Sequence, residues 1–118
     1  MVAPLTDLSR LCIHTITNKP WSLGEVIEEY TRAGVAGVTV WRNALEAHGV
    51  QTSALMLRES GLKVVSLCRG GFFPARESRE RQASLDDNRR AIDEAASIGA
   101  PLIVLVCGAV PGLPLSEA

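Results

Sequence analysis

Four short apolar runs alternate with three helical patterns along the chain, and this alternation limits the possible folds more than any other feature. The first three runs end at His14, Trp41 and Cys68, which are spaced 27 residues apart, and the fourth ends at Cys107. Strands that alternate with helices in units of constant length predict crossover connections and a parallel sheet. The sequence therefore predicts an α/β fold with the order β-α-β-α-β-α-β.

The predicted strands span about residues 8–15, 37–42, 63–68 and 102–107, within a single domain over residues 1–118. Because side chains alternate along a strand, each of the first three strands has two distinct faces. One face is polar-tolerant and carries Cys12, His14, Thr39, Trp41, Ser66 and Cys68. The other is aliphatic and carries Leu11, Ile13, Val38, Val40, Val65 and Leu67. An inner face that differs from a helix-covered outer face favours a barrel over a doubly wound sheet.

Helical spacing of apolar residues predicts helices over about residues 22–33, 50–60 and 84–98. Ser22 with Glu25, and Ser84 with Asp87, have the spacing of a capping box. The charged segment 75–83 is expected to be a solvated loop or the start of a helix. The residues expected to face inward are Ala54, Leu55 and Leu57 in the second helix and Ile92, Ala95, Ala96 and Ile98 in the third.

Composition excludes several classes of partner. The net charge of -1 and the pI near 6.1 provide no basic surface for nucleic acid or for an anionic membrane. No apolar run approaches the ~20 residues of a membrane span, and no secretory signal is expected at the N-terminus. Three widely spaced cysteines argue against a disulfide framework and favour a reducing compartment. We therefore expect a cytoplasmic protein that binds neither nucleic acid nor membrane.

The segment after the third run changes character abruptly, to Arg69, Gly70, Gly71, Phe72 and Phe73. Glycines let the backbone approach a ligand closely, and binding groups are often held on loops that follow rigid elements. A cation, two glycines and two aromatic rings after a buried strand indicate the rim of a ligand site. The alternative is an ordinary turn with a hydrophobic plug.

The strand-end residues each allow two interpretations. His14 could donate to a substrate hydroxyl or shuttle a proton, or its ring could be satisfied by neighbouring backbone. Trp41 could form an apolar wall against a sugar ring, or fill the mouth of a barrel. Arg69 and Arg42 could bind a carboxylate or phosphate, or lie in solvent, which is the expectation for Arg42.

Other catalytic chemistry has little support in the sequence. Cys68 and Cys107 are expected to be small buried fillers rather than nucleophiles. Phosphate-binding glycine motifs and a serine-hydrolase motif are absent. Neither paired cysteines nor paired histidines at short spacing suggest a zinc site.

Four segments together resemble the sugar phosphate isomerase/epimerase family, the xylose-isomerase-like TIM barrels. They are Cys12–Thr15 with Trp21–Leu23, Gly37–Arg42, Val64–Gly71 and Gly99–Gly108. A complete barrel of this type has eight β-α units over about 250 residues, so the resemblance implies the N-terminal half of a (β/α)8 barrel. In the family, Glu, Asp, His and Glu from the second half hold a divalent metal (Mn, Mg, Co or Zn). No metal ligand carries over, and no cofactor is expected in this chain.

The resemblance implies a complete barrel that acts on a sugar or polyol derivative by metal-assisted proton transfer, as an isomerase, an epimerase or a related dehydratase. The alternative is a truncated, catalytically inactive homologue that serves as a binding or assembly module. Open sheet edges and an uncovered inner face predict self-association, or pairing with a C-terminal half. The candidate substrate-binding residues are His14, Trp41, Arg69, Gly70 and Phe72.

Overall fold

The computed structural model describes residues 1–117 and contains a parallel sheet of four strands with three α-helices. The strands are β1 Cys12–His14, β2 Gly37–Trp41, β3 Lys63–Gly71 and β4 Ile103–Val106. The helices are α1 Leu23–Arg32, α2 Val50–Ser60 and α3 Ser78–Ile98. The sheet order is β1-β2-β3-β4, so β1 and β4 form its edges in the described part of the chain. The predicted α/β order is confirmed.

The hydrophobic core lies between the three helices and one face of the sheet. Val38, Val40 and Leu67 are completely buried there, and Ile13 packs against them. The helices contribute a second set of buried residues: Leu23, Val26, Tyr30, Ala54, Leu57, Ala91, Ala95 and Ile98. The predicted division into an aliphatic, helix-covered face and a polar-tolerant face is thus confirmed for most positions.

Two residues assigned to the aliphatic face do not belong to it. The register between β2 and β3 pairs Val38 with Val64 and then Thr39 with Ser66, so Val65 is an extra residue at a β-bulge. Its side chain lies on the inner face, where a Cβ on Gly37 would be 3.1 Å from Val65 Cγ2. Leu11 precedes β1 and is exposed. The simple alternation used for the prediction fails at the bulge.

Strand lengths also differ from the prediction. β1 covers only Cys12–His14, because a turn at Leu8–Leu11 precedes it and a 3-10 helix follows from Thr15. β3 continues past the predicted residue 68 to Gly71, since Gly70 pairs with Leu105 and Gly71 with Val106.

The capping box of α1 is present as predicted. Ser22 Oγ accepts from the Glu25 N–H at 3.2 Å, and Glu25 Oε2 accepts from the Ser22 N–H at 2.6 Å. α3, by contrast, begins at Ser78 within the charged segment, and its N-cap residue makes no side-chain capping bond. The predicted capping box at Ser84 is wrong because that residue lies inside the helix.

Some apolar residues expected to face inward are exposed instead. Leu55 on α2 is 48% exposed, Ile92 on α3 is 59% exposed, and Ala96 is also exposed. Ile92 lines an open apolar groove of about 610 Å³ between α3 and β4, together with Leu85 and Leu105. The residues of this groove face the open β4 side of the sheet, where no further element covers them in residues 1–117.

The chain is less compact than a closed domain of its size. Its radius of gyration is 17.0 Å, against about 13.5 Å expected for a compact chain of this length. Within residues 1–117, no helix combines the length and the apolar composition required to cross a membrane.

Candidate substrate-binding site

The inner face of the sheet carries side-chain contacts between residues at equivalent positions of successive β-α units. Cys12 Sγ lies 3.5 Å from Thr39 Oγ1, and Thr39 Oγ1 lies 2.8 Å from Ser66 Oγ. Each pair is 27 residues apart in sequence. The predicted polar-tolerant face is therefore a short hydrogen-bonded line across β1, β2 and β3, and it forms the floor beneath the strand ends.

His14 and Trp41, also 27 residues apart, meet where β1 and β2 end. Trp41 Nε1 donates a hydrogen bond to His14 Nδ1 at 3.1 Å, and the ring centres are 6.5 Å apart. The backbone N–H of Trp41 also donates to Thr15 Oγ1 at 2.9 Å. Beneath them, the Tyr30 hydroxyl lies 3.2 Å from His14 O, and burial raises the pKa of that phenol. The two strand ends are thus held together by side chains.

Arg69, near the end of β3, stacks on two aromatic rings. Its guanidinium carbon lies 5.7 Å from the ring centre of Trp41 and 4.6 Å from that of Phe72. Both distances allow cation–π attraction. Arg69 and Phe72 are exposed, and no hydrogen bond or ion pair of Arg69 exists within residues 1–117.

These side chains border a cleft of about 450 Å³ at the C-terminal end of the strands. Its lining residues are Ile16, Lys19, Trp41, Arg42, Asn43, Cys68, Arg69, Phe72 and Asp87. Three of the predicted site residues, Trp41, Arg69 and Phe72, therefore line one cleft, and His14 borders it through its bond to Trp41. Their predicted contact with a substrate stays a prediction.

Gly70 differs from the other candidates because it faces helix α3. A Cβ at this position would lie 2.6 Å from Asn88 Oδ1 and 3.1 Å from Leu105 Cδ2. The glycine is explained by this close approach, and Gly70 does not line the cleft. Its role in substrate binding stays a prediction.

Asn88 of α3 was not recognised from the sequence, although it holds the candidate loop. Its Oδ1 accepts from the Gly71 N–H at 2.7 Å, and its Nδ2 donates to Gly71 O and Ser84 O, both at 2.8 Å. Gly71 lies between Arg69 and Phe72 in sequence, so this side chain fixes the backbone that presents both groups. The available signal in the sequence was the position of Asn88, a polar amide that lies three residues before Ala91, which is buried in the structure.

Arg42 is mostly buried and ion-paired, so the expectation that it lies in solvent is wrong. Its side chain is 22% exposed, with Nη1 2.8 Å from Asp87 Oδ2 and Nε 2.6 Å from Glu94 Oε2. These hydrogen bonds raise the pKa of Arg42, and the same Arg42 contact holds the pKa of Asp87 below its usual value. The ion pairs of Arg42 with Asp87 and Glu94 connect the end of β2 to α3.

The two strand-end cysteines differ in environment. Cys68 is buried, and burial raises the pKa of its thiol although the charge of Arg69 opposes the effect. A thiol with a raised pKa is a poor nucleophile near neutral pH, so Cys68 suits the predicted role of filler. Cys107 is exposed, which contradicts the expectation that it is buried.

The described residues do not fit the divalent metal that the resemblance implies. Within residues 1–117, no group of three or more His, Cys, Asp or Glu side chains could hold a metal ion. The Nδ1 atom of His14 already accepts from Trp41. The absence of a metal site in this chain stays a prediction, which titration calorimetry with Mn²⁺, Co²⁺ and Zn²⁺ can test.

A parallel sheet with helices on one face and a side-chain cluster at its C-terminal strand ends defines a TIM-barrel type of α/β protein. The chain belongs to the xylose isomerase-like TIM barrel family, whose family model matches residues 10–118. It is similar to the crystal structure of protein SMc04130 from Sinorhizobium meliloti 1021, with 37% sequence identity and a TM-score of 0.84. That match covers 92% of this chain but 40% of the other, so the chain spans less than half of that protein's length. No curated protein matches it. The predicted family and the predicted partial-barrel fold are confirmed.

Proposed function

We propose that this chain supplies one wall of the substrate site in a sugar or polyol isomerase/epimerase-type barrel. His14, Trp41, Arg69, Gly70 and Phe72 are the proposed substrate-binding residues. The observation that carries the proposal is the contact of His14 with Trp41 and of Trp41 with Arg69 at the C-terminal ends of the strands. TIM-barrel enzymes place their active sites at this end of the strands.

The chemistry of these groups suits a sugar or polyol. The faces of Trp41 and Phe72 offer apolar surface to the C–H side of a sugar ring. Because His14 Nδ1 accepts from Trp41, the neutral imidazole carries its proton on Nε2, which can donate to a hydroxyl. Arg69 adds N–H donors at the end of β3. We assign these residues binding and orientation of the substrate.

The test uses the two tryptophans of the 118-residue chain as probe and internal control. Titration with D-xylose, D-fructose and xylitol is followed by the indole N–H signals of Trp41, which lines the cleft, and of Trp21, which does not. We expect the Trp41 signal to move with a dissociation constant in the millimolar range or weaker, and the Trp21 signal to stay in place. His14→Ala is expected to weaken this response. Equal movement of both signals, or none at high sugar concentration, contradicts the proposal.

The second candidate function is a non-catalytic binding or assembly role. The apolar groove between α3 and β4 favours it, because Ile92 and Leu105 are each more than half exposed beside an open strand edge. We propose a second copy of the chain as occupant in solution, since β1 and β4 both present free parallel edges that can pair with one another.

A further inference from the structure

We propose that His14 and Trp41 form a pH-sensitive switch, in which protonation of His14 breaks its hydrogen bond with Trp41 and moves the indole wall of the cleft. The inference rests on the proposed function, because it names a means of regulation for the same site. It is supported by the chemistry of the bond, by the contacts around it and by the charges of the neighbouring groups.

The bond between the two side chains requires the neutral form of the imidazole. Trp41 Nε1 can only donate and lies 3.1 Å from His14 Nδ1, so Nδ1 has to accept. An imidazolium carries protons on both ring nitrogens and has no acceptor. Protonation therefore places two N–H groups opposite each other, and the side chains separate. Histidine side chains change charge between about pH 5 and 8, so mild acid is sufficient.

The contacts around the pair limit the movement to the side chains. The backbone N–H of Trp41 donates to Thr15 Oγ1 at 2.9 Å, and the Tyr30 hydroxyl lies 3.2 Å from His14 O. Neither contact involves the imidazole ring, so both remain when the ring is protonated. The His14 side chain is exposed and Trp41 is half-buried. Protonation therefore releases the indole while the strand ends stay in place.

The indole transmits the change to Arg69 and Phe72. The guanidinium carbon of Arg69 lies 5.7 Å from the Trp41 ring centre and 4.6 Å from that of Phe72. Protonation of His14 adds a second positive charge beside this indole, and no ion pair of His14 within residues 1–117 compensates for it. The lost hydrogen bond and the repulsion between two cations therefore both displace the wall.

The neighbouring groups keep their charge in this pH range. Burial raises the pKa of the Cys68 thiol on β3 and that of the Tyr30 phenol on α1. On α3, the hydrogen bond from Arg42 holds the pKa of Asp87 below 3.8. Lysine and arginine side chains stay protonated at these pH values. The cationic side chains that line the cleft are Lys19, Arg42 and Arg69. A change of the cleft in mild acid is therefore attributable to His14.

The experiment follows the two tryptophans and the two histidines of the 118-residue chain by NMR between about pH 5 and 7.5. Trp21 and His48, which are both exposed, are the internal controls. We expect the Trp41 indole signals and the Cδ–H signals of Arg69 to change with the same midpoint as the His14 ring, and the Trp21 signals to stay in place. The nitrogen signals of neutral His14 should show the proton on Nε2, whereas those of His48 should show both tautomers.

Matched variants assign the pH dependence to this bond. His14→Asn places an amide oxygen near the position of Nδ1, which can accept from the indole but does not titrate, so the Trp41 signals should become independent of pH. Trp41→Phe keeps an aromatic ring without the N–H donor, so neutral His14 should become a mixture of tautomers. His48→Asn should leave the pH dependence of Trp41 unchanged. The dispersion of the amide signals checks that each variant folds.

Sugar titrations connect the switch with the proposed site. D-xylose, D-fructose and xylitol are titrated separately at pH 5 and at pH 7.5. We expect binding to be about fivefold weaker at pH 5, the size expected for one lost hydrogen bond. The ratio of the two affinities should approach one in His14→Asn and should be retained in His48→Asn.

The outcomes separate this inference from the proposed function, because the pH titration needs no sugar. Trp41 signals that do not follow the titration of His14, or that still titrate in His14→Asn, overturn the switch. Arg69 signals that do not move with those of Trp41, or equal sugar affinities at both pH values, overturn its control of the cleft and with it the inference. Joint titration of the three side chains without a response to any sugar supports the switch and contradicts the proposed function.

Discussion

The indole Nε1 of Trp41 donates to His14 Nδ1 across 3.1 Å, joining the ends of two neighbouring strands. The bond fixes the orientation of both rings and assigns the proton of the neutral imidazole to Nε2. The guanidinium group of Arg69 stacks on the same indole ring. Trp41, at the end of β2, thus contacts a residue of β1 and a residue of β3.

The first prediction concerns this bond. His14→Ala should move the Trp41 indole N–H signal while leaving that of Trp21 in place, because only Trp41 loses its acceptor. Since His14 is exposed, water can replace the acceptor, and the free energy of unfolding should fall by less than about 1 kcal/mol. Chemical denaturation and two-dimensional NMR measure the two effects. A Trp41 signal that does not move would show that the bond is not formed in solution.

The second prediction concerns the Asn88 side chain. Asn88→Ala leaves the N–H and C=O of the buried Gly71 without their partners, so the free energy of unfolding should fall by about 2 kcal/mol. The Arg69 and Phe72 signals should move as well, because Asn88 holds the backbone between them. Gln82→Ala is the matched control: its amide is on the same helix but makes only one hydrogen bond, to Asp86, in an exposed position. If both variants lose equal stability, Asn88 has no special positioning role.

The third prediction concerns acid stability. The hydrogen bond from Arg42 lowers the pKa of Asp87 below its ordinary value of 3.8 and outweighs desolvation, which raises it. A carboxyl group whose pKa is lower in the folded state than in the unfolded state stabilises the folded state at pH values above its unfolded-state pKa. This contribution disappears as the pH falls through the folded-state pKa. The Asp87 side chain is 44% exposed, so solvent screening should keep the contribution below about 1 kcal/mol.

The measurement compares the wild-type chain with Asp87→Asn in denaturant unfolding at several pH values. The stability difference should be constant well above pH 3.8 and should shrink below it. In an Arg42→Met background most of this pH dependence should be absent, because the main cause of the lowered pKa is gone. A difference that is the same at all pH values would contradict the assignment.

Local sequence patterns could predict the parts of the fold that repeat. The spacing of 27 residues correctly placed Thr39 with Ser66 and His14 with Trp41, because the first two β-α units have the same length and the strands are parallel. The Ser22 capping box was equally visible, since it lies within four consecutive residues.

The remaining features depend on contacts that no local pattern contains. Arg42 pairs with carboxylates 45 and 52 residues away, and Asn88 reaches back 17 residues to Gly71. The side chain of Val65 lies on the opposite face of the sheet from the predicted one, because the extra residue at the bulge breaks the alternation of side chains. The exposure of Ile92 has a different cause: the sequence pattern predicts an inward-facing residue, but the described residues provide no partner for it.

The final prediction concerns that unpartnered face. Ile92, Leu102 and Leu105 are 59%, 53% and 56% exposed along the groove, next to the free edge of β4. Exposed apolar surface beside an unpaired parallel strand favours association, because pairing satisfies backbone groups and removes the side chains from water. The 118-residue chain should therefore self-associate as its concentration rises, which light scattering measures. Leu105→Glu should weaken the association by placing a charge in the groove. The control is Leu55→Glu, which alters a similarly exposed leucine on α2 and should leave the association unchanged. A stable, folded monomer at high concentration, or equal effects of the two variants, would show that this face is not the surface of association.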